Sequence, residues 1–368
     1  MALSPHIHFV MDPRATRWAA IERLDARVID EQPQRFSGGR NSWIAQSFLR
    51  LRPALRERGW KVTAGPISVP GTITVVHRDD MNRFASAAHR SFLVVVRADR
   101  SAVSACDLAI TQNAVALSAH ERFIPLWPQP GLVRREARRG NRIERVAYQG
   151  RTSSAPRWFH DGAFLRGLER RGVRFEIREA GWQHYEDVDV VLAARDEVRD
   201  ILATKPATKI YNGWLSRAPV VASPEPAYRE LWRSVLDFIE VVDAPGVVRA
   251  IDALRSNSRL YAAMVANGVA RSAEFDVPAI ESKWLALFDE EIVPAFIAKR
   301  GALSSRRTWF LGAMGRQKVA SRVSRARIAC QRLARHAAAG FHNGSTFAHH
   351  PLVVPDIDDA RNECATPP

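Results

Sequence analysis

Several short apolar runs of this 368-residue chain end in polar residues that could transfer protons or bind anions. In the first half, His77 ends the run TITVVH and Asp99 follows SFLVVVRA; either side chain can accept the proton of a hydroxyl group. The second half places cations and hydrogen-bonding groups at the ends of three further runs: Arg151, Arg195, and Ser223 with Glu225. Any one of them could be an ordinary polar strand end, so the set is stronger evidence than any single member.

Two lysines in the sequence KPATK could bind a larger anion. Lys205 and Lys209 are four residues apart, a spacing that places both ammonium groups on one face near the start of a helix. Two cations and the positive end of a helix dipole suit a diphosphate, which requires charge compensation. Two solvated lysines on a surface helix explain the spacing equally well.

A pair of glycines, Gly38 and Gly39, precedes a predicted helix that begins near Ser42. Paired glycines let the backbone approach a ligand and leave the N–H groups of the helix free for an anion. The competing interpretation is a flexible loop in which Ser42 caps the helix. The glycine pair is therefore a candidate ligand loop of low specificity.

These residues are positioned by an alternation of short apolar runs with helix-length segments, which is typical of βα units and parallel sheets. The alternation extends from residue 6 to about 135 and restarts at residue 144. Between them, the Pro- and Arg-rich segment 127–141 reads as an interdomain crossing. Ligands of open α/β sheets bind beyond the carboxyl ends of the strands, so the polar strand ends are the candidate site.

Composition narrows the class of protein without choosing a ligand. Hydrophobic residues make up 46% of the chain and charged residues 25%, as in folded proteins. The net charge of +15 attracts nucleic acid, phosphorylated substrates or an acidic membrane surface. Three widely spaced cysteines indicate neither a zinc site nor a disulfide framework. With no signal-peptide pattern and no run long enough to span a membrane, a cytoplasmic location is expected.

The second half resembles a known family. A helix with small residues leads into the sequence APVVASPE, and an IDAL helix and a segment with the pattern M-x-x-x-G-x-x-R follow it. Over residues 144–285 this order resembles the donor-binding domain of GT-B glycosyltransferases, with Gly150 and Arg151 where many members have Gly-Arg. The loop at Gly38 and Gly39 is similar to the acceptor-side loop of the same enzymes.

The resemblance implies an α/β protein of two Rossmann-like domains that face each other across a cleft. The expected parts are an acceptor-side domain over 1–135, a nucleotide-sugar domain with a closing helix over 136–298, and a basic helical extension with a loop-like tail over 299–368. The residues expected at the donor are Arg151, Arg195, Lys205, Lys209, Asn212, Ser223 and Glu225. Asn212 stands where many retaining members have a glutamate, so the contacts there should differ.

The activity implied is transfer of a sugar from a nucleotide-sugar donor to a hydroxyl acceptor, in envelope or polysaccharide synthesis. We expect no metal and no cofactor, because cations and helix dipoles can stabilise the leaving diphosphate. Asp187 and Asp189 are interpreted as a turn and not as a metal site. Asp99 and His77 are the candidate bases, and Asp99 could instead pair with a neighbouring arginine.

The basic extension suggests a partner. Eleven Lys and Arg residues and no acidic residue lie between Lys299 and Arg335. Val319, Val323, Ala326, Cys330, Leu333 and Ala337 form a weak apolar stripe beside a basic one. Residues 316–336 could therefore bind the anionic inner membrane surface, near a glycan or lipid-linked acceptor, or could be an ordinary helix packed on the domain.

Two other functions fit parts of the sequence. A sugar-nucleotide epimerase would share the fold, and the high pI of 10.7 would suit a non-catalytic binder of nucleic acid or membranes. A nucleic-acid binder should interleave exposed aromatic and basic residues. Tryptophans such as Trp214 and Trp232 lie within apolar patterns and are predicted to be core, so no specific nucleic acid is expected.

Overall fold

The computed structural model describes residues 4–12, 15–81, 88–115 and 117–341, with side chains to residue 335. The chain divides into two compact units. Unit 1 comprises Met1–Gly131, Thr204–Pro206 and Val277–Ala329. Unit 2 comprises Leu132–Ala203, Ala207–Asp276 and Cys330–Pro368.

The described residues form strands and helices in alternation. The strands are β1 His6–Val10, β2 Lys61–Gly65, β3 Ile73–His77, β4 Phe92–Ala98, β5 Leu108–Thr111, β6 Glu121–Phe123, β7 Arg145–Gln149, β8 Arg174–Arg178, β9 Val190–Ala193, β10 Val220–Ala222 and β11 Ile239–Glu240. The α-helices are α1 Val28–Glu31, α2 Pro33–Phe36, α3 Arg40–Glu57, α4 Gly162–Glu169, α5 Arg199–Leu202, α6 Thr208–Leu215, α7 Pro226–Arg229, α8 Ala244–Ser256, α9 Ser258–Ser272, α10 Val277–Leu287, α11 Val293–Lys299 and α12 Arg307–Phe341.

Each unit contains one parallel sheet. Unit 1 has the strand order β2-β1-β3-β4-β5-β6, and unit 2 has the order β11-β10-β9-β7-β8. In both sheets, the strand that comes first in the chain lies between the strands that come second and third. The chain therefore adds its second strand on one side of the first strand and its third strand on the other side. That switch point falls between β1 and β3 in unit 1 and between β7 and β9 in unit 2. The prediction of two Rossmann-like α/β folds is confirmed.

Both faces of each sheet are covered, as the apolar runs require. Along β4, Phe92 and Val94 belong to one buried cluster and Leu93 and Val95 to another. In β7, Val146 and Tyr148 face one cluster while Ala147 joins the other. Alternate residues of a strand point to opposite faces, so a strand covered on both faces must be apolar throughout.

Side-chain caps fix where the helices of unit 2 begin. Asp161 accepts a hydrogen bond of 2.8 Å from the backbone N–H of Ala163 at the start of α4. Asp243 and Asn257 cap α8 and α9 in the same manner. Such caps satisfy N–H groups that have no partner inside the helix. Before α4, the chain forms a short 3-10 helix, Arg157–His160, and Asp161 separates the two helices.

The units divide at Gly131, four residues before the expected boundary. The segment from α10 to α11, which we assigned to the second domain, packs in unit 1, where Trp284 and Phe288 join the core around α3. Within unit 2, Asp189 is fully buried and its carboxylate binds Arg135 and Arg139 of the crossing segment at 2.7 and 2.8 Å. These bonds keep the pKa of Asp189 below its usual value against the effect of burial.

Helix α12 packs through a different face from the apolar stripe seen in the sequence. Phe310, Ala313 and Gln317 are buried, whereas Val319 and Leu333 are 60% and 70% exposed. The described part of the predicted stripe therefore faces solvent, because the opposite side of the helix packs against the domain. A loop was expected over residues 340–368; residues 340 and 341 instead belong to α12, and the remainder lies outside the described residues. In the part of the chain that is described, no helix combines the length and hydropathy needed to cross a membrane.

Candidate functional site

A cavity of about 530 Å³ lies at the carboxyl ends of the strands of unit 2. Its walls come from the segments that follow β7, β9, β10 and β11 and from the end of α12; the lining residues are Ser153, Pro156, Arg157, Trp158, Ala194, Arg195, Asp196, Glu197, Val198, Ser223, Val242, Arg332 and Arg335. The segments after β7 and β9 flank the switch point of this sheet. Ligands of open α/β proteins bind in the crevice at such a point.

The lining carries more positive than negative charge. Four arginines face two carboxylates, those of Asp196 and Glu197. An excess of guanidinium groups suits an anion with several oxygens, because each group offers a fixed fork of donors. Electrostatics therefore favour a phosphorylated ligand over a neutral one in this cavity.

Arg195 is fixed in place by a buried ion pair with Glu225. Its guanidinium donates a hydrogen bond to the carboxylate, and the two side chains are 9% and 1% exposed. The guanidinium also lies 5.5 Å from the centre of the Tyr228 ring. Burial opposes its charge, yet Glu225 more than compensates and raises the pKa of Arg195. Ser223 donates to the other carboxylate oxygen at 3.2 Å, so the predicted residues Arg195, Ser223 and Glu225 are brought together.

Lys209 lies under the loop that follows β7. Its ammonium donates to the carbonyl oxygen of Gln149 and sits 4.2 Å from the centre of the Tyr148 ring. A Cβ at Gly150 would lie 2.7 Å from this nitrogen, so only glycine leaves room for it. Burial, aided by repulsion from Arg195, lowers the pKa of Lys209 to about 7. Burial raises the pKa of the Tyr148 phenol to about 12.

Lys205 does not share a helical face with Lys209. Helix α6 begins at Thr208, and Pro206 separates Lys205 from it. Lys205 belongs to unit 1, where its ammonium binds the carboxylate of Asp99 at 2.7 Å. The expectation that the two lysines lie on one face of a helix is therefore wrong, because the backbone between them is not helical. Their roles in binding a donor diphosphate stay predictions.

Two other predicted donor residues lie outside the lining of this cavity. Arg151 is exposed, directly after the strand β7 and Gly150. Asn212 is 7% exposed within α6, whose inner face packs on the sheet. Their roles as donor-binding residues stay predictions.

Unit 1 also has a polar cluster at its switch point. Asp80, just after β3, is fully buried and binds Arg40 at 3.1 Å. It also accepts a 2.7 Å hydrogen bond from the Asn41 amide, while the Asn41 oxygen accepts from the backbone N–H of Asp12. Arg40 reaches Asp12 as well, at 3.4 Å. The cluster thus connects the first turn of α3 to the ends of β1 and β3.

The glycine pair forms the turn into α3. Gly38 and Gly39 both have positive φ values, 72° and 82°, which favour glycine. A Cβ at Gly39 would lie 2.8 Å from the guanidinium of Arg17. Ser42 donates its hydroxyl hydrogen to the carbonyl of Gly38 and does not cap the helix, whose N-cap residue is Gly39. The turn therefore needs both glycines for structural reasons, and its role in acceptor binding stays a prediction.

The first candidate base, His77, is 1% exposed at the end of β3. Its Nδ1 accepts a hydrogen bond from the backbone N–H of Asp79 at 3.1 Å. Burial lowers the pKa of His77 to about 4, so the ring is neutral near pH 7 and accepts a further proton weakly.

The second candidate base, Asp99, follows β4 and is partly exposed. Besides Lys205, it binds Arg100 at 3.0 Å, which is the pairing with an arginine that the sequence left open. Burial would raise the pKa of Asp99, but the ammonium of Lys205 outweighs it and the pKa is lowered. Asp99 and His77 stay predicted bases, and both are held in environments that weaken them as bases.

Sequence reasoning missed part of the cavity lining. Asp196 follows Arg195 at the end of an apolar run and is a polar strand end in the sequence, but it was not assigned to the donor site; Glu197 comes directly after it. Arg332 and Arg335 were assigned only to a basic helix. Arg332 binds Glu197 at 3.2 Å across 135 residues of sequence, and no spacing or motif announces such a contact.

The described residues include no group of three or more His, Cys, Asp or Glu side chains that could hold a metal ion. Metal independence stays a prediction.

Comparison with solved structures gives likenesses of fold. Three similar structures are HepE from Anabaena in complex with UDP and glucose, a glycosyltransferase from Rickettsia africae, and AviGT4, a glycosyltransferase involved in avilamycin A biosynthesis. In this order, their sequences are 12%, 8% and 14% identical to this chain, and their TM-scores are 0.47, 0.48 and 0.47. The matched regions cover 77%, 79% and 79% of this chain and 99%, 99% and 98% of the solved chains. No protein-family model matches the chain, and no curated protein matches its sequence.

Two of these structures are of glycosyltransferases, the family that the second half of the sequence resembles. Identities below 15% and TM-scores below 0.5 are too low to transfer an activity or the role of any residue. The function must therefore be argued from the site itself.

Proposed function

We propose that the chain is a glycosyltransferase that binds a nucleotide-sugar donor in the cavity of unit 2 and transfers the sugar to a hydroxyl acceptor. The observation that carries the proposal is the position and charge of this cavity. It lies at the switch point of a parallel sheet, and four arginines line it against two carboxylates.

The chemistry of sugar transfer matches this lining. When the bond between the sugar and the diphosphate breaks, negative charge develops on the leaving diphosphate, and fixed cations that stabilise this charge accelerate the step. Arg195 is a suitable fixed cation because the buried pair with Glu225 holds its orientation. Ser223 and Glu197 can hydrogen-bond the hydroxyl groups of a ribose or a sugar.

The acceptor hydroxyl must lose a proton, and we propose Asp99 over His77 for this role. The Asp99 side chain is 23% exposed, whereas His77 is 1% exposed and its Nδ1 is already used. Replacing Asp99 by Asn should lower turnover more than it raises the KM for the donor. If His77→Gln lowered turnover more than Asp99→Asn does, the base would be His77 and not Asp99.

We place the enzyme at the cytoplasmic face of a membrane, where a glycan or lipid-linked acceptor of envelope or polysaccharide synthesis would be found. The support is the outward face of α12. Val319, Val323 and Leu333 are 60–70% exposed on it, and the exposed cations Arg316, Lys318, Arg322 and Arg325 flank them. Apolar residues between cations are typical of helices that lie on anionic bilayers.

Binding and turnover together test the proposal. The protein is titrated by calorimetry with UDP, GDP and ADP, then incubated with the matching nucleotide sugars. We expect one nucleoside diphosphate to bind with a Kd in the micromolar range and its sugar donor to be slowly hydrolysed to the free nucleoside diphosphate. UDP and UDP-glucose are the first probes, since the Anabaena HepE structures contain them.

Other outcomes point to the competing functions. An altered nucleotide sugar with the diphosphate bond intact would indicate an epimerase. Salt-sensitive binding of nucleic acid with no response to any nucleotide would refute the transferase. Trp214 is buried as predicted, but Trp232 is 37% exposed and packs edge-on against Phe238, 4.8 Å between ring centres. Trp309 is 41% exposed, and the guanidinium of Arg306 lies 4.3 Å from its ring centre. Two tryptophans of different units do not form a continuous stacking surface for bases.

A further inference from the structure

The end of α12 forms one wall of the cavity in unit 2. Arg332 and Arg335 line it, and the side chains of both are about half exposed. Arg332 binds Glu197 at 3.2 Å, and Arg335 binds Asp196. These two carboxylates follow β9 at the switch point. The end of α12, a helix that begins 82 residues after Glu225, is therefore held at the ends of these strands by contacts between residues far apart in sequence.

A third contact orients this end of the helix. The side-chain amide of Gln331 donates to the Asp200 carboxylate at 2.9 Å, and the backbone N–H of Asp200 approaches the Gln331 oxygen at 3.4 Å. Arg335 is four residues after Gln331 and three residues after Arg332, so all three side chains lie on one side of the helix. The helix end is thus fixed to the residues after β9 at three successive points.

The two arginines decide the sign of the charge in the cavity. Without them, the lining would have Arg157 and Arg195 against Asp196 and Glu197, which is no net charge. Glu225 already neutralises Arg195 from below. With them, the lining has two positive charges in excess, or one when Glu225 is counted, so the cavity attracts the negative charge of a diphosphate.

We infer that Arg332 and Arg335 bind the diphosphate of the donor, so that the basic C-terminal helix completes the nucleotide-sugar site of unit 2. The inference rests on the proposed function and assigns its anion binding to residues outside the α/β fold. A guanidinium has five N–H donors, and one carboxylate partner leaves several of them for phosphate oxygens. Asp196 and Glu197 each occupy part of one fork, and their negative charges compete with a phosphate for it.

The test compares two double variants on the same helix. The test variant carries Arg332→Gln and Arg335→Gln and so removes the two cavity arginines that α12 provides. The control variant carries Arg322→Gln and Arg325→Gln, which removes the same charge at the same spacing from exposed positions that do not line the cavity. Calorimetry with UDP and with inorganic pyrophosphate measures affinity. We expect the first variant to bind both probes at least tenfold more weakly, and the control to stay within twofold of the wild type.

Two results would overturn the inference while leaving the proposed function intact. Unchanged UDP affinity in the first variant would make the arginines purely structural, and tighter binding would make the helix an obstruction that competes with the donor. If the wild type binds pyrophosphate but no nucleoside diphosphate, the proposed function fails and the anion site stands. If the wild type binds neither pyrophosphate nor a nucleoside diphosphate, the inference and the proposed function both fail.

A further variant decides the question if loss of the arginines prevents folding. Asp196→Asn with Glu197→Gln keeps all four arginines and removes the two carboxylates that compete with a phosphate. We expect pyrophosphate to bind several-fold more tightly to it than to the wild type. Unchanged or weaker affinity in this variant would count against the inference.

Discussion

The two sheets have the same arrangement of strands around their switch points, but they treat the polar residues there in opposite ways. In unit 1, Asp12, Arg40, Asn41 and Asp80 satisfy one another, and Asp80 is fully buried. In unit 2, the residues after β7 and β9 surround a cavity of about 530 Å³. Polar strand ends therefore do not identify a ligand site by themselves; what matters is whether they surround an open cavity with an excess of one charge.

The largest expected effect comes from breaking the buried pair under the cavity. Glu225→Ala leaves Arg195 with an uncompensated charge, and we expect it to destabilise unit 2 by about 3–5 kcal/mol. Hydrogen exchange of amides in β9 and β10 measures this free energy of unfolding. The control Glu230→Ala changes an exposed carboxylate five residues on and should cost less than about 0.5 kcal/mol. Equal effects of the two substitutions would contradict the role given to the pair.

A smaller effect is expected from the corresponding cluster of unit 1. Asp80→Ala removes the shared partner of Arg40 and Asn41, but Arg40 is 30% exposed and can regain water. We expect a loss of about 2 kcal/mol in the stability of unit 1. The affinity for UDP, measured below the unfolding transition, should stay unchanged. A tenfold loss of affinity would move the donor site, or part of it, to unit 1.

The third effect is a change of stability with pH, and it concerns Lys209. Its pKa is lowered from 10.5 to about 7 on folding, so between these values the unfolded chain binds more protons than the folded one. The contribution of Lys209 is therefore least favourable at pH 7 and below, and it improves as the pH rises toward 10.5.

Substitution by methionine removes this titration. The stability of Lys209→Met relative to the wild type should be highest near pH 7 and should decline steadily to pH 10 in urea unfolding experiments. A stability difference that is constant over this range would show that Lys209 keeps its ordinary pKa. Lys283→Met, at an exposed position of α10, serves as the control for loss of a lysine.

The sequence predicted the parts of the site that depend on local pattern. Arg195, Ser223 and Glu225 were identified because each follows an apolar run, and the parallel sheet then brings the ends of β9 and β10 together. The pairing of Arg195 with Glu225 followed from that register, although the sequence did not state it. Two folds with both sheet faces covered were likewise visible in runs such as FLVVV.

The rest depends on where the backbone bends and on contacts distant in sequence. Lys205 and Lys209 have helical spacing, but Pro206 excludes a helix that includes both. The sequence shows which face of α12 is the more hydrophobic, but not which face packs against the domain. Ala313 and Gln317 are buried against it, whereas Val319 of the hydrophobic face is exposed. Arg332 and Arg335 reach the cavity only through the folded chain.

The central claim is that the open switch point of unit 2, and not the closed one of unit 1, binds the donor. A crystal structure of the protein with bound UDP tests it most directly. We predict that the diphosphate lies in the cavity between the segments after β7 and β9, within hydrogen-bond distance of Arg332 or Arg335. A diphosphate bound instead beside Gly38 and Arg40 of unit 1 would contradict the claim.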